Sequence, residues 1–305
     1  MKYSFGLLGY PLLHSLSPRL HGAALADMHL QGEYRLYAIP PDADGRQTMK
    51  RILAEMRAGE VHGLNVTIPH KQTVIEFLDD LSPTAAAIGA VNTILLDSGR
   101  LIGDNTDAPG FLADLEQVFP KSRELTNDQQ NTPPQALVLG AGGAARAVVY
   151  ALAQTGWKVM IAARRPAQAE QLAAELKPAV GELWAVPLED HALRDYCTLA
   201  RLVVNATSAG MLPDVESCPW PTGLPFPPAA FVYDLVYKPA QTTLLRRARA
   251  NGLQSANGLG MLIEQAAVAL ERWTGLPVPR QAMRRAVEGL AASPATQDIS
   301  LQTND

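Results

Sequence analysis

Cysteine is scarce in this 305-residue chain: there are two, Cys197 and Cys218. Their spacing builds neither a disulfide framework nor a metal-binding motif. A reducing, cytoplasmic setting is therefore expected. No apolar run approaches the roughly 20 residues that a membrane span needs, so no membrane partner is expected. Charge of one sign is not in excess either. The 26 Lys and Arg against 30 Asp and Glu leave a net charge of −4, which gives no general attraction to nucleic acid. The opening residues reach Gly6, Gly9 and Pro11 too early for a secretory leader. The histidines are dispersed, with no H-x-x-x-H pair, and no G-x-S-x-G turn is present. Metal and serine-nucleophile chemistry are thereby disfavoured. There are no repeats and no low-complexity runs.

What is present is a stretch in mid-chain around which the rest is arranged. Ala136-Leu137-Val138-Leu139 reads as a short buried strand, Gly140-Ala141-Gly142-Gly143-Ala144-Ala145 as a glycine-rich turn, and the residues after it as an alanine-rich helix. The order is G-x-G-x-x-G/A, with Ala145 in the third slot. Gly140 allows the sharp turn, and Gly142 removes a Cβ that would block a pyrophosphate. Ala145 is small enough for helix to pack on strand. The free N–H groups of the helix start then face phosphate.

Around this stretch the chain alternates between strands and helices. Strands are expected at 3–9, 33–40, 61–68, 91–96 and 100–102, with helices over 17–28, 46–58, 71–78 and 107–118. Ser17 and Pro18 fit the N-cap and first position of their helix. Met49, Ile52, Leu53 and Met56 mark the buried face of the helix over 46–58. This is the pattern of a mostly parallel α/β sheet. Residues 120–135 read as a polar loop. A second α/β series follows, with strands at 136–140, 157–162, 182–186, 201–205 and 231–235 and helices over 143–155 and 166–176. A proline-rich loop spans 211–230. Helices over 240–250, 257–275 and 279–292 close the chain, and the last residues read as a frayed tail.

Three places could carry chemistry. The strand at 157–162 runs into Ala163-Arg164-Arg165, with no acid where one would accept from a ribose 2′-OH. Two arginines there favour the 2′-phosphate of NADP over NAD. In Asn65-Val66-Thr67-Ile68-Pro69-His70-Lys71, Asn65 and Thr67 face one side of a strand and suit a hydroxylated ligand. Lys71 follows within a turn, placed to supply a proton or a stabilising charge to an alkoxide left by hydride addition. Asp107 is a candidate partner for it, although Asn105, Thr106 and Asp107 also read as a helix cap. Asn92 is a further polar residue at a strand start. Ser15 and Ser17 place two hydroxyls at a helix N-terminus, a place suited to a carboxylate.

Together these motifs resemble one family. His14-Ser15-Leu16-Ser17-Pro18, the stretch Asn65 to Lys71, Ala90-Val91-Asn92-Thr93, and Gly103-Asp104-Asn105-Thr106-Asp107 are similar to shikimate dehydrogenases. So are the glycine-rich turn, Asn205-Ala206-Thr207-Ser208, Tyr233-Asp234-Leu235-Val236-Tyr237, and Gly258-Leu259-Gly260-Met261-Leu262. All stand in the family's order and cover the chain to about residue 290. The resemblance implies an α/β protein with an N-terminal substrate domain and a Rossmann-type NADP-binding domain. The C-terminal helices would return to the substrate domain, giving 1–106 with 257–292 and 107–256, and a tail over 293–305. It implies reversible NADPH-dependent reduction of 3-dehydroshikimate to shikimate, on the way to chorismate and the aromatic amino acids. By position, Lys71 and Asp107 would be the catalytic pair. Ser15 and Ser17 would hold the substrate carboxylate, and Asn65, Thr67, Asn92, Asp107 and Gln265 the ring hydroxyls, with Tyr237 nearby. Gly140, Ala141, Gly142, Gly143 and Ala144 would meet the pyrophosphate and Arg164 and Arg165 the 2′-phosphate. Thr207, Met211, Val236 and Gly258 would line the nicotinamide side. The partner is a small molecule, and the chain would act as a monomer or homodimer.

The chain also departs from the family pattern. Ala108-Pro109 replaces a frequent glycine after the last Asp of Gly103 to Asp107. Ala163-Arg164-Arg165 stands where Asn-Arg-Thr is common, so one hydrogen-bonding side chain is exchanged for a charge. The loop over 120–135 is longer than usual. The alternatives are a quinate/shikimate dehydrogenase paralogue using NAD, a non-catalytic NADP-sensing protein, and a methylenetetrahydrofolate dehydrogenase, whose pterin suits the Ser15 and Ser17 pair less well.

Overall fold

The computed structural model describes residues 2–127, 133–189, 193–194 and 198–288. The chain forms two compact units, Met1–Asp114 with Met261–Val287, and Leu115–Gly260. Both divisions fall inside helices, so no linker marks them.

The first unit contains β1 (Tyr3–Gly9), α1 (Ser17–Asp27), β2 (Gly32–Ala38), α2 (Ala43–Arg57) and β3 (Gly63–Val66). A 3-10 turn at Thr73–Phe77 leads to β4 (Asp80–Leu81), α3 (Pro83–Ile88), the hairpin β5 (Thr93–Asp97) and β6 (Arg100–Asp104), and α4 (Asp107–Val118). The sheet order is β2-β1-β3-β5-β6-β4. β1 pairs in parallel with β2 and β3, whereas β5 runs antiparallel to both β3 and β6. Met49, Ile52, Leu53 and Met56 of α2 are buried against Leu8, Leu64, Val66 and Ile94 on one face of the sheet. On the other face, in-register pairing sets Phe5 beside Tyr34 and Gly63, and Leu7 beside Leu36 and Asn65. Trp273 covers it, stacked on Phe5 with centroids 4.8 Å apart and donating from Nε1 to Ile94 O at 3.0 Å. A Cβ on Gly63 would lie 2.4 Å from the Trp273 ring, so glycine there lets the indole seat.

The second unit contains α5 (Lys121–Asn127), β7 (Gln135–Leu139), α6 (Gly143–Gln154), β8 (Lys158–Ala163), α7 (Pro166–Val180) and β9 (Leu183–Pro187). β10 (Ala200–Asn205), β11 (Phe231–Asp234), α8 (Thr243–Ala250) and β12 (Ser255–Asn257) follow. All strands pair in parallel, in the order β12-β11-β10-β7-β8-β9. Read from β7 outward this is the 3-2-1-4-5-6 arrangement of a dinucleotide fold, with its topological switch between β7 and β10. The chain ends in α9 (Leu259–Thr274) and α10 (Arg280–Val287); α10 packs on α1.

The structure corrects several expectations. α1 is capped at Leu16, whose side chain makes no cap bond, so Ser17 is already helical and its hydroxyl is not used as a cap. The helix expected from Lys71 is a 3-10 turn that begins at Thr73. The loop expected over 120–135 carries α5, and residues 128–132 lie outside the described residues. The tail over 293–305 and Cys197 also lie outside them. β4, α3 and β12 were not expected, being too short to show periodicity. Among the described residues, no helix is long and apolar enough to cross a membrane.

Candidate active site

In the first unit the polar candidates gather at the carboxyl end of β3. The segment after β3 is pinned by its backbone and by a buried histidine. Val91 N donates to Lys71 O at 2.7 Å, and a His70 Nε2 bond to Ile39 O spans 2.6 Å. Asp107 opens α4. Its N–H and that of Ala108 donate to Asn105 Oδ1 at 3.1 and 3.3 Å, so the Asn105 side chain caps the helix start. That leaves the Asp107 carboxylate free of capping. Its Oδ2 accepts from Lys71 Nζ at 2.5 Å, and its Oδ1 accepts from Asn92 Nδ2 at 2.9 Å. The Lys71 side chain is 15% exposed and that of Asp107 7%. Little water screens the pair, yet the ammonium can still be reached.

Asn92 is the hub of this cluster. Its Oδ1 accepts from Thr106 N at 2.7 Å, while its Nδ2 also reaches Thr106 Oγ1 at 3.0 Å and Gln265 Oε1 at 3.4 Å. Gln265 comes this close because Gly110 has no side chain; a Cβ there would lie 2.7 Å from Gln265 N. Asn65, paired across the sheet with Thr93, donates from Nδ2 to Thr93 Oγ1 and Asn92 O at 3.1 Å each. Thr67 lies just past the end of β3 and continues its ladder, donating from N to Leu8 O at 2.8 Å. At the start of α1, Ser17 N donates to Ser15 Oγ at 3.3 Å. Chemically, this is a shielded ammonium beside a carboxylate, ringed by hydroxyls and carboxamides. It can donate a proton to, or stabilise, an oxygen that gains negative charge.

The remaining candidates lie in the second unit, at its switch point. Gly140 has φ +114°, and a Cβ on it would meet Thr207 Cγ2 at 3.0 Å and Ala206 C at 3.1 Å. Glycine is therefore required both for the turn and for the approach of the β10 loop. Gly142 is the N-cap of α6, with no side-chain cap bond and open space where its Cβ would stand. Ala141, Gly143 and Ala144 are half-buried. An uncapped helix start over an open glycine fits a pyrophosphate. Arg164 and Arg165 are exposed just beyond β8, where a ribose phosphate would lie.

One buried network ties the other loops to this sheet. Asn205 Oδ1 accepts from Thr207 N at 2.9 Å and Thr207 Oγ1 at 2.7 Å, and Asn205 Nδ2 donates to Asp234 Oδ1 at 2.8 Å. Asp234 also accepts from Val236 N at 3.0 Å and from Thr242 Oγ1 at 2.6 Å. Burial nevertheless pushes its carboxyl up to about 6. Met211 is 43% exposed on the β10 loop. Gly258 N reaches Val236 O at 3.4 Å, and a Cβ on Gly258 would strike Leu235 O at 2.1 Å. Tyr237 is half-buried on the segment after β11. Asn205 and Asp234 stood only within quoted motifs and Thr242 was not singled out, because nothing in their spacing brings the ends of β10 and β11 and the cap of α8 to one point.

Comparison with known proteins follows the same division. Residues 7–94 match the family model described as shikimate dehydrogenase substrate binding domain. Residues 124–212 match shikimate / quinate 5-dehydrogenase, and residues 258–288 the shikimate 5'-dehydrogenase C-terminal domain. A shikimate dehydrogenase (NADP(+)) of Salinibacter ruber is 45% identical over 91% of this chain and 94% of its own. The structure of shikimate 5-dehydrogenase from Thermus thermophilus, in complex with NADP(H) and shikimate, is 41% identical with a TM-score of 0.78, covering 94% of this chain and 98% of that one. Quinate dehydrogenase from Corynebacterium glutamicum, in complex with NAD, is 32% identical with a TM-score of 0.82, covering 94% and 99%.

Proposed function

The chain belongs to the shikimate dehydrogenase family, and on that premise we propose that it catalyses the reversible, NADPH-dependent reduction of 3-dehydroshikimate to shikimate. This is an oxidoreductase acting on a CH–OH group, a step toward chorismate and the aromatic amino acids. When bound, the nicotinamide cofactor supplies or takes up the hydride. Lys71 gives its proton to the carbonyl oxygen in reduction and receives one in oxidation. Asp107 holds the Lys71 ammonium through Oδ2, while Asn92 fixes Oδ1. Ser15 and Ser17 hold the substrate carboxylate, helped by the start of α1. Asn65, Thr67, Asn92, Asp107 and Gln265 bind the ring hydroxyls, with Tyr237 beside the ring. Gly140, Ala141, Gly142, Gly143 and Ala144 receive the pyrophosphate, and Arg164 and Arg165 the 2′-phosphate. Thr207, Met211, Val236 and Gly258 line the nicotinamide side.

One observation carries the reading: the shielded Lys71–Asp107 pair at the carboxyl end of β3, fixed by Asn92. The likeness to a quinate dehydrogenase supports a second reading, quinate oxidation with NAD. The Arg164 and Arg165 pair, with no acid beside it, speaks for NADP. Measuring kcat/KM for shikimate and quinate, each with NADP and with NAD, decides between them. Shikimate with NADP is expected to lead, and a clear lead for quinate with NAD would overturn the first reading. The cytoplasm, and a monomer or homodimer, complete the proposal, in keeping with the two cysteines.

A further inference from the structure

Asn65 does not stand alone in the first unit. Tyr34, on β2, reaches along the sheet face past β1, and its hydroxyl donates to Asn65 Oδ1 at 2.8 Å. Both hydrogens on Asn65 Nδ2 are already taken, by Asn92 O and Thr93 Oγ1 at 3.1 Å each. The carboxamide therefore has one orientation. An inverted amide would set Oδ1 against the Asn92 carbonyl oxygen, two acceptors with no hydrogen between them. What remains for a ligand is a lone pair on Oδ1, so Asn65 meets a ring hydroxyl as an acceptor.

The Tyr34 ring is itself held. His21 of α1 stacks on it with centroids 4.2 Å apart and an interplanar angle of 6°. Trp273 lies 5.6 Å from His21 on α9. His21 is fully buried, and among the described residues neither ring nitrogen has a partner within hydrogen-bond geometry. Burial pulls its pKa down to about 3, so it stays neutral. The parallel stack keeps its in-plane nitrogens off the tyrosine hydroxyl. An unpartnered buried imidazole costs stability, and its flat contact with Tyr34 is the role that the geometry leaves it.

We propose that Tyr34, backed by His21, is a positioning residue for substrate recognition, orienting Asn65 toward the substrate. This rests on the proposed function. Tyr34→Phe removes one oxygen and keeps the ring stacked on His21, so the fold is retained. Its effect is read as KM for shikimate at saturating NADP, KM for NADP at saturating shikimate, and kcat. The same substitution is then made in an Asn65→Ala background. The expected result is a rise of about fivefold or more in shikimate KM, with NADP KM changed less than about twofold. In the Asn65→Ala background, the Tyr34→Phe step is expected to add little, because the group it orients is gone. An unchanged shikimate KM in an otherwise active enzyme, or an equal rise with and without Asn65, would overturn the inference. A wild-type chain inactive on shikimate with NADP would instead overturn the proposed function, and this inference with it.

Discussion

The substitution Asp234→Asn exchanges one carboxylate oxygen for an amide nitrogen inside a buried network. The new carboxamide could keep the acceptor toward Asn205 and Val236 and turn its nitrogen toward Thr242, whose hydroxyl accepts as readily as it donates. Shape and hydrogen bonds are thus largely retained, and what changes is the ability to ionise. Burial raises the wild-type carboxyl from 3.8 to about 6. Between those values the folded protein holds a proton that the unfolded chain gives up. The resulting stabilisation is complete below the unfolded value and is lost as pH rises through about 6. Integrated from about pH 4.5 to about pH 7, the loss is about 2 kcal/mol. Urea unfolding of both proteins at several pH values, analysed by linear extrapolation, isolates this amount. Other titrating groups cancel in the difference between the two proteins. The variant should gain about 2 kcal/mol on the wild type as pH rises across this window. Parallel stability curves, differing by a constant, would refute the assignment of a costly buried carboxylate to Asp234.

Other predictions concern the two sites and the sheet. Lys71→Ala should lower kcat by about 10²–10⁴-fold while NADP binding, followed by fluorescence titration, is retained; comparable turnover would exclude the proton-transfer role. The joint change Arg164→Ala with Arg165→Ala should raise KM for NADP by about tenfold or more and leave KM for NAD nearly unchanged. An equal loss with both cofactors would place the arginines away from the 2′-phosphate. Gly63→Ala should destabilise the protein by about 1–3 kcal/mol in chemical denaturation, because the new Cβ meets a Trp273 ring fixed by Phe5 and Ile94. Tryptophan emission should shift with it, and unchanged stability would mean that the indole moves freely.

Local pattern reached some of this molecule and not the rest. The buried face of α2 was legible, since Met49, Ile52, Leu53 and Met56 repeat at helical spacing. The turn from β7 into α6 was legible because glycines there answer a backbone requirement that no other residue meets. Capping was ambiguous where it mattered most. Asn105, Thr106 and Asp107 are all good caps, and only the fold assigns the task to Asn105. That choice frees Asp107 for Lys71, 36 residues earlier in the chain. The helix expected from Lys71 is cut short, since the Lys71 carbonyl is taken by Val91 N and the chain continues as a 3-10 turn.

The sequence by itself determined the kinds of chemistry available: a glycine turn for a dinucleotide, a pair of arginines for a phosphate, and a lysine, an aspartate and two serines for a small oxygenated acid. These follow from residue type and short spacing, which act within a few residues along the chain. Tertiary structure alone decided which groups meet. Strand register set Asn65 beside Thr93 and within reach of Tyr34, and Asp234 beside Asn205; helix packing brought Gln265 to Asn92. Such contacts depend on pairing and packing between elements far apart in the chain, and no local spacing encodes that distance.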